Sequence, residues 1–403
     1  YVVAASDAPD HVKRQADYIC DGTDDHEEIQ AAIDALPTYG GSVYVSGGTY
    51  SCTGAIALPD NVHLKFERGA SLYVPDEHVI TPHLKYGEYP CYALITNADH
   101  VAGNTNIRIE GGYINLMSGQ ADTSTKGGGR WAGIWLDLCD QCLVEGAVCE
   151  SVIYNGVWAA GEVGYGILLS DCTDCTLRDC EGNDVGYEGI GVRGNCRDIL
   201  VEHCGGFRNR QHSIQAGEFI PQSSVVAAPQ RVTFRECYGD DTIIVHGEHG
   251  AGAKTIKFEG CWTDDRIDII GDVRDVVVRD CRSFVGSTGI SIRPQVTDDI
   301  IDGVIIEGYS YQRVESPTQP IEIRQDHTAQ NTVVRNVTIR GGFFSPGVIL
   351  SIADNGLPWT VSNISLLDSV HTEPPEYPFD RAAIVIEATG APTIENLHLE
   401  RNV

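Results

Sequence analysis

Short runs in which apolar and polar residues alternate recur along this chain from about residue 104 to its end. One recurring segment is Ile107-Arg-Ile-Glu, Leu143-Val-Glu, Thr176-Leu-Arg-Asp-Cys180, Leu200-Val-Glu-His-Cys204, Val232-Thr-Phe-Arg-Glu-Cys237, Ile256-Lys-Phe-Glu-Gly-Cys261, Val276-Val-Val-Arg-Asp-Cys281, Val304-Ile-Ile-Glu and Val337-Thr-Ile-Arg. A second lies between its copies: Gly189-Ile-Gly-Val192, Ser213-Ile-Gln-Ala216, Thr242-Ile-Ile-Val245, Arg266-Ile-Asp-Ile269 and Gly289-Ile-Ser-Ile292. The period of two and the β-branched content predict strands, and the Gly, Asn and Asp residues between them predict turns. The copies follow one another at roughly 20 to 35 residues, the spacing of a solenoid. No helical pattern intervenes, so the economical architecture is all-β. It is a single-stranded right-handed parallel β-helix of about a dozen coils, inward Ile and Val stacking into one core.

The N-terminus reads differently. Asp21-Gly-Thr-Asp-Asp25 leads into His26-Glu-Glu-Ile-Gln-Ala-Ala-Ile-Asp-Ala-Leu36, which predicts an N-capped amphipathic helix with Ile29, Ala32, Ile33 and Leu36 on one face. Such a helix can cover the open end of a solenoid, where bare strand edges invite pairing. The expected organisation is one domain over residues 1–403, with the cap helix and first strands in 1–50 and the coils in 51–403.

With Asp21-Gly-Thr-Asp-Asp25, Ile29-Gln-Ala-Ala-Ile33 and Gly40-Gly-Ser-Val-Tyr-Val-Ser-Gly-Gly-Thr-Tyr50, the opening resembles that of the pectate-lyase-like β-helix superfamily. That superfamily contains polygalacturonase-type hydrolases, polysaccharide lyases, uronan epimerases and tailspike depolymerases, so the resemblance implies the fold and a carbohydrate partner but no single reaction.

Aligning the second strand on Ile190, Ile214, Ile243, Ile267 and Ile290 produces a column two residues earlier: Glu188, His212, Asp241, Asp265, Thr288. Tyr187, Gln211, Asp240, Asp264 and Ser287 stand one position before it. Coils about 4.8 Å apart line such side chains along one stripe, where like charges raise one another's pKa. Asp, His and Ser in this turn also cap backbone amides with no catalytic part. The catalytic candidates are Glu188, His212, Asp240, Asp241 and Asp265. Tyr187, Arg193, Gln215, His246, Asp268, Arg293, Trp131 and Trp158 are candidates for holding substrate. Calcium is an open reading at Asp241, Asp264 and Asp265, with Asp240 and Asp268 beside them; hard oxygen ligands on adjacent coils suit it. No other cofactor is expected.

In polygalacturonase-like hydrolases, the resemblance implies, carboxylates sit just before this strand. Gly239-Asp240-Asp241 matches the Asp-Asp element and Glu188-Gly189 the place of the first acid. His212 between them, Asp264-Asp265-Arg266 where Gly-His-Gly would stand, and the lack of an Arg-x-Lys pair depart from that pattern. The leading expectation is hydrolysis of glycosidic bonds; the alternatives are a lyase or C5-epimerase on a uronic-acid polymer, and a non-catalytic spike or adhesin.

Long insertions are expected at 81–99, 118–133, 217–230 and 374–381, and Trp131, Trp135, Trp158 and Phe219 near them are offered as groove walls. Cys180, Cys204, Cys237, Cys261 and Cys281 end the first strand and should stack as small buried hydrophobes, an oxidised ladder being the other reading. Cys139-Asp-Gln-Cys142 and Cys172-Thr-Asp-Cys175 have zinc-site spacing, which the repeat itself also explains.

Composition narrows the partners. The 403 residues carry 57 Asp+Glu against 28 Lys+Arg, a formal charge of −29. That charge disfavours phosphate backbones and anionic lipid surfaces, so nucleic acid and membrane are not expected partners. A polysaccharide is, and a homo-oligomer, trimeric if spike-like. The expected location is secreted or cell-surface.

Overall fold

The computed structural model describes residues 1–75, 84–86, 89–116, 130–151, 163–217, 228–247, 250, 252–284, 288–312, 319–325, 329–345, 350–353, 357–368, 370–371, 384–387 and 393–400. Its strands build three parallel sheets in about a dozen coils, a right-handed parallel β-helix. Apart from Val2–Ala4 with Tyr18–Ile19 and the antiparallel Leu84–Tyr86 with Tyr89–Asn97, the described strands pair with the equivalent strand one coil away and not with a neighbour in sequence, the connectivity of a solenoid. The described chain divides into two compact units, chiefly Tyr1–Ile214 and Val225–Val403.

In the first unit, the first sheet runs through Gly41–Val45, Val62–Phe66, Arg108–Glu110, Leu143–Glu145, Thr176–Arg178 and Arg197–Glu202. The third runs through Ile56–Leu58, Tyr89–Asn97, Arg130–Asp137, Val163–Ser170 and Glu188–Arg193. Ile134, Ile167 and Ile190 are in register and fully buried. Part of the expected insertions is therefore sheet: Tyr89–Asn97 and Arg130–Asp137 pair along their length, their apolar residues being needed on both faces of the strand. Helix His26–Asp34 buries Ile29, Ala32 and Ile33 against the first strands. Asp25 stands at its N-cap without capping it. Its carboxylate accepts instead from the backbone N–H of Gly22 (2.8 Å) and of Ser51 (2.7 Å), tying the opening turn to strand Gly48–Ser51.

In the second unit, the first sheet runs through Gln230–Arg235, Ala253–Glu259, Val273–Arg279, Ile300–Glu307, Thr332–Arg340, Trp359–Leu367 and Thr393–Glu400. The second sheet begins with the two-residue strands Tyr238–Gly239, Trp262–Thr263 and Arg282–Ser283. The third contains Thr242–Gly247, Ile267–Gly271, Thr288–Arg293, Gln319–Arg324 and Leu350–Ala353. Inward residues stack coil on coil, as Ile243, Ile267, Ile290, Ile321 and Leu350 do, and Phe234 lies on Phe258 with centroids 5.2 Å apart. The outer face of the first sheet carries an ion ladder in which Arg279 meets Glu259 at 3.8 Å and Glu307 at 3.2 Å.

All 14 cysteines are buried thiols. In the first unit the sulfurs of Cys175, Cys196 and Cys204 accept from the backbone N–H of Cys142, Cys172 and Cys180 at 3.3–3.4 Å. Cys139, Cys142, Cys172 and Cys175 each donate to a main-chain carbonyl at 3.2–3.5 Å, so both CxxC pairs serve the coil turns. Burial pushes the Cys149 thiol well above its ordinary pKa, the state of an inert core residue.

Candidate functional site

In the second unit the turn before the third sheet gathers carboxylates. Asp241 precedes strand Thr242–Gly247 and Asp265 stands in the same place one coil later, because Ile243 and Ile267 are in register. The Thr242 backbone N–H donates to Asp241 Oδ1 at 2.6 Å, and its hydroxyl donates to Asp265 Oδ2 at 2.7 Å. The Thr263 hydroxyl donates to the Asp241 carbonyl at 2.6 Å and accepts from the Asp265 N–H at 3.0 Å. Thr242 thus joins two carboxylates on adjoining coils, and Thr263 fixes the main chain that carries them. Arg266 follows, its Nε donating to Asp268 Oδ1 at 2.9 Å while Nη1 lies 4.0 Å from Asp265 Oδ2. Arg293 reaches Asp268 Oδ2 at 4.0 Å from the next coil.

These carboxyls are electrostatically unequal. Burial, reinforced by the charges of Asp265 and Asp240, pushes Asp241 up to about 6 against the opposing bond from Thr242. Burial also raises Asp268, and the two guanidiniums only partly offset it. Asp241 stays partly exposed while Asp268 is enclosed. A carboxyl that keeps its proton up to about pH 6 and still meets solvent suits general acid catalysis.

The outward positions of the same sheet form a further column, Ile244, Asp268, Ser291, Glu322 and Ser351, in register and buried. Glu322, with Arg324 at 3.9 Å, is a polar member the sequence reading missed. Its signal was available in Gln319-Pro-Ile-Glu-Ile-Arg324, which repeats the period of Arg266-Ile-Asp-Ile.

The first unit holds Tyr187, Glu188, Arg193 and His212. Glu188 is 0 % exposed and Arg193 1 %. Arg193 donates from Nε to Glu188 Oε2 at 3.2 Å and from Nη2 to Oε1. The rings of Tyr165 and Tyr187 flank the guanidinium, with centroids at 5.1 and 5.3 Å. The His212 backbone N–H donates to the Tyr187 carbonyl at 3.2 Å. Glu188 therefore has the surroundings of a satisfied structural ion. Trp131, expected on a groove wall, is buried and stacked on Tyr92 at 4.1 Å. Trp135 is buried and donates from Nε1 to Ser170, whose hydroxyl donates to Asp137 at 2.5 Å. Gln215 is buried and His246 half-buried; Trp158 and Phe219 lie outside the described residues.

Asp241, Asp264 and Asp265, the residues expected to suit calcium, do not bring their ligand atoms within 4.8 Å of one another. Among the described residues the three metal-competent groups within 4.8 Å of one another are Cys20, Asp25 and Glu28, and both Asp25 oxygens are taken by backbone amides. Arg266 stands on the side of Asp265 and Asp268 and supplies positive charge itself.

No family model matches the chain, and no curated protein does. Solved structures match it. The A-module of the Azotobacter vinelandii mannuronan C-5 epimerase AlgE6 is similar at 15% identity and TM-score 0.63, over 95% of this chain and 96% of that one. A tailspike protein of E. coli bacteriophage HK620, solved with a pentasaccharide, matches at 15% identity and TM-score 0.53, over 93% and 76%. The polygalacturonase of Erwinia carotovora ssp. carotovora matches at 14% identity and TM-score 0.51, over 93% of each chain. At these identities the likeness establishes the fold alone, a right-handed parallel β-helix.

Proposed function

We propose that this protein is a carbohydrate-active enzyme that hydrolyses glycosidic bonds, with Asp241 and Asp265 as its catalytic pair. The observation that carries the reading is Asp241, partly exposed, raised to about 6 and tied through Thr242 to a second carboxylate. Adjoining strands lie about 4.8 Å apart, close to the roughly 5–5.5 Å between the carboxyls of retaining glycosidases. Asp241 would give its proton to the departing glycosidic oxygen while Asp265 attacks the anomeric carbon. Asp241, now a carboxylate, would then take a proton from the water that releases the sugar. Thr242 presents Asp265 Oδ2, and Asp268 holds Arg266 and Arg293 in place. The glycan-related names of the structural neighbours support the substrate class.

Arg266 and Arg293 favour a second reading, elimination or epimerisation of a uronic-acid polymer, in which a guanidinium neutralises the carboxylate beside the abstracted proton. Secretion or surface display fits either; no helix among the described residues is long and apolar enough to cross a membrane.

The test is digestion of a glycan panel with mass spectrometry of the products. Hydrolysis adds one water per cleavage, whereas elimination leaves an unsaturated sugar of unchanged total mass. Asp241→Asn should lower the rate about 10²–10⁴-fold, the usual worth of a general acid. Full activity in both Asp241→Asn and Asp265→Asn would overturn the site.

A further inference from the structure

The acidic turn that opens the first unit crowds negative charge where nothing positive meets it. Asp25 is 0 % exposed, and among the described residues no Lys or Arg pairs with it or with Glu28. A buried carboxylate is ordinarily paired with a cation or bound to a metal. The two Asp25 oxygens accept one bond each, from the N–H groups of Gly22 and Ser51, which leaves a lone pair open on both. Glu28 follows one helical turn later on the same face. Its Oε2 is sealed from solvent and has no hydrogen-bond partner. Cys20, 2 % exposed, directs its thiol to the Asp25 carbonyl at a long 3.8 Å. One ligand atom from each of Cys20, Asp25 and Glu28 lies within 4.8 Å of the other two.

The donor set selects the ion. Calcium and magnesium take oxygen ligands, whereas a thiolate together with carboxylates suits zinc in a tetrahedral site. Bonds of about 2.0–2.3 Å hold tetrahedral ligand atoms roughly 3.3–3.8 Å apart, so small side-chain rotations close these three groups on one ion. The amide bonds to Asp25 are the outer support that ligating carboxylates have in metal sites. Burial, reinforced by the neighbouring carboxylates, pushes both the Cys20 thiol and the Glu28 carboxyl above their ordinary ranges. A divalent cation offsets that crowding. The CxxC pairs have zinc-site spacing in sequence, yet no three of their sulfurs come within 4.8 Å of one another.

We propose that Cys20, Asp25 and Glu28 bind one zinc ion, with water as the fourth ligand, and that the ion fastens the cap helix His26–Asp34 to the opening coils. Cys20 releases its thiol proton to solvent as the sulfur binds. Through Asp25 the ion is joined to strand Gly48–Ser51, so turn, helix and strand share one anchor. This role is structural and does not depend on the reaction assigned to Asp241.

Zinc binding by the full chain tests it, read as metal content after dialysis and as thermal melts with zinc and with EDTA. One zinc per chain should be retained, and its removal should lower the melting temperature. Cys20→Ser and Glu28→Gln should each weaken zinc at least about tenfold, the least that disturbing a metal site's support costs. Glu28→Gln, at a partly exposed side chain, serves if Cys20→Ser does not fold. Cys142→Ser, in a CxxC turn, should bind as the parent does. At saturating cobalt the chain should show a sulfur-to-metal charge-transfer band that Cys20→Ser abolishes and Glu28→Gln keeps. Retention of no zinc, binding untouched by both Cys20→Ser and Glu28→Gln, or loss of the ion in Cys142→Ser alone would overturn the proposal.

Discussion

Glu188 and Asp241 stand at matching points of their coils, two residues before an inward Ile that opens the third-sheet strand. Their chemistry is opposite. Glu188 lies under full cover, with both oxygens held by an Arg that also lies against the rings of two tyrosines. Asp241 keeps a solvent-facing edge, and the charges of Asp265 and Asp240 add to the burial that raises its pKa. The same position thus holds a buried ion paired with a cation at Glu188, and at Asp241 a carboxyl of raised pKa, the proton donor of the proposed reaction. Position in a coil sets where a carboxylate points; the partner set decides what it does.

The largest effect expected from breaking this contrast is at Arg193. Arg193→Ala takes the guanidinium away from a fully buried carboxylate and should cost about 3–5 kcal/mol in denaturant unfolding. The double variant Glu188→Leu/Arg193→Met should recover most of that loss, because a buried pair replaced by apolar side chains of similar volume is often neutral. A neutral Arg193→Ala would erase the distinction between the two carboxylates.

Next comes the pH dependence of Asp241. Its folded pKa lies above the unfolded value, so its contribution to stability is complete below about 4 and lost as pH rises through about 6. Asp241→Asn should therefore stabilise the protein at pH 8 by about 1–2 kcal/mol, a figure reduced for partial exposure, and leave it unchanged at pH 4. Thermal melts at both values decide this. Glycan cleavage should fall over the same interval as the acid loses its proton; a rate that climbs above pH 7 would contradict the assignment.

The smallest effect belongs to the exposed ladder. Arg279→Ala removes two exposed contacts and should cost under about 1 kcal/mol, vanishing in 1 M salt where the screening length falls to roughly 3 Å. A loss as large as that at Arg193 would mean exposure is not what separates these ions.

The repeat was legible because inward Ile, Val and Phe must recur wherever a coil closes on its core, and the Cys column followed from the same constraint. The Asp241, Asp265 and Asp268 cluster was legible too, since the alignment on Ile243 and Ile267 matches the register. Glu322 was missed because the coil from Ile290 to Ile321 is longer than the two before it, which breaks the apparent period. The state of Glu188 was not readable: sequence places Arg193 on the same strand but says nothing of what covers the pair. Trp131 and Trp135 misled for a related reason. Beside a glycine-rich stretch they suggested a loop, yet both faces of Arg130–Asp137 are buried. Asp25 has a typical capping place, and its carboxylate is drawn instead to the amides of a neighbouring strand.

The left-handed turn that closes many of the first-sheet strands bears on how such a surface changes over generations. Asp179, His203, Glu236, Gly260, Asp280, Gly308 and Gly341 all occupy that backbone conformation at the same kind of strand end. Asp, Asn and Gly tolerate it readily, and the side chain there points away from the stacked core. Substitutions in this row can therefore accumulate with little penalty on folding, and each redraws the relief of a single coil. The outline of that edge can be rewritten one coil at a time while the interior remains unaltered.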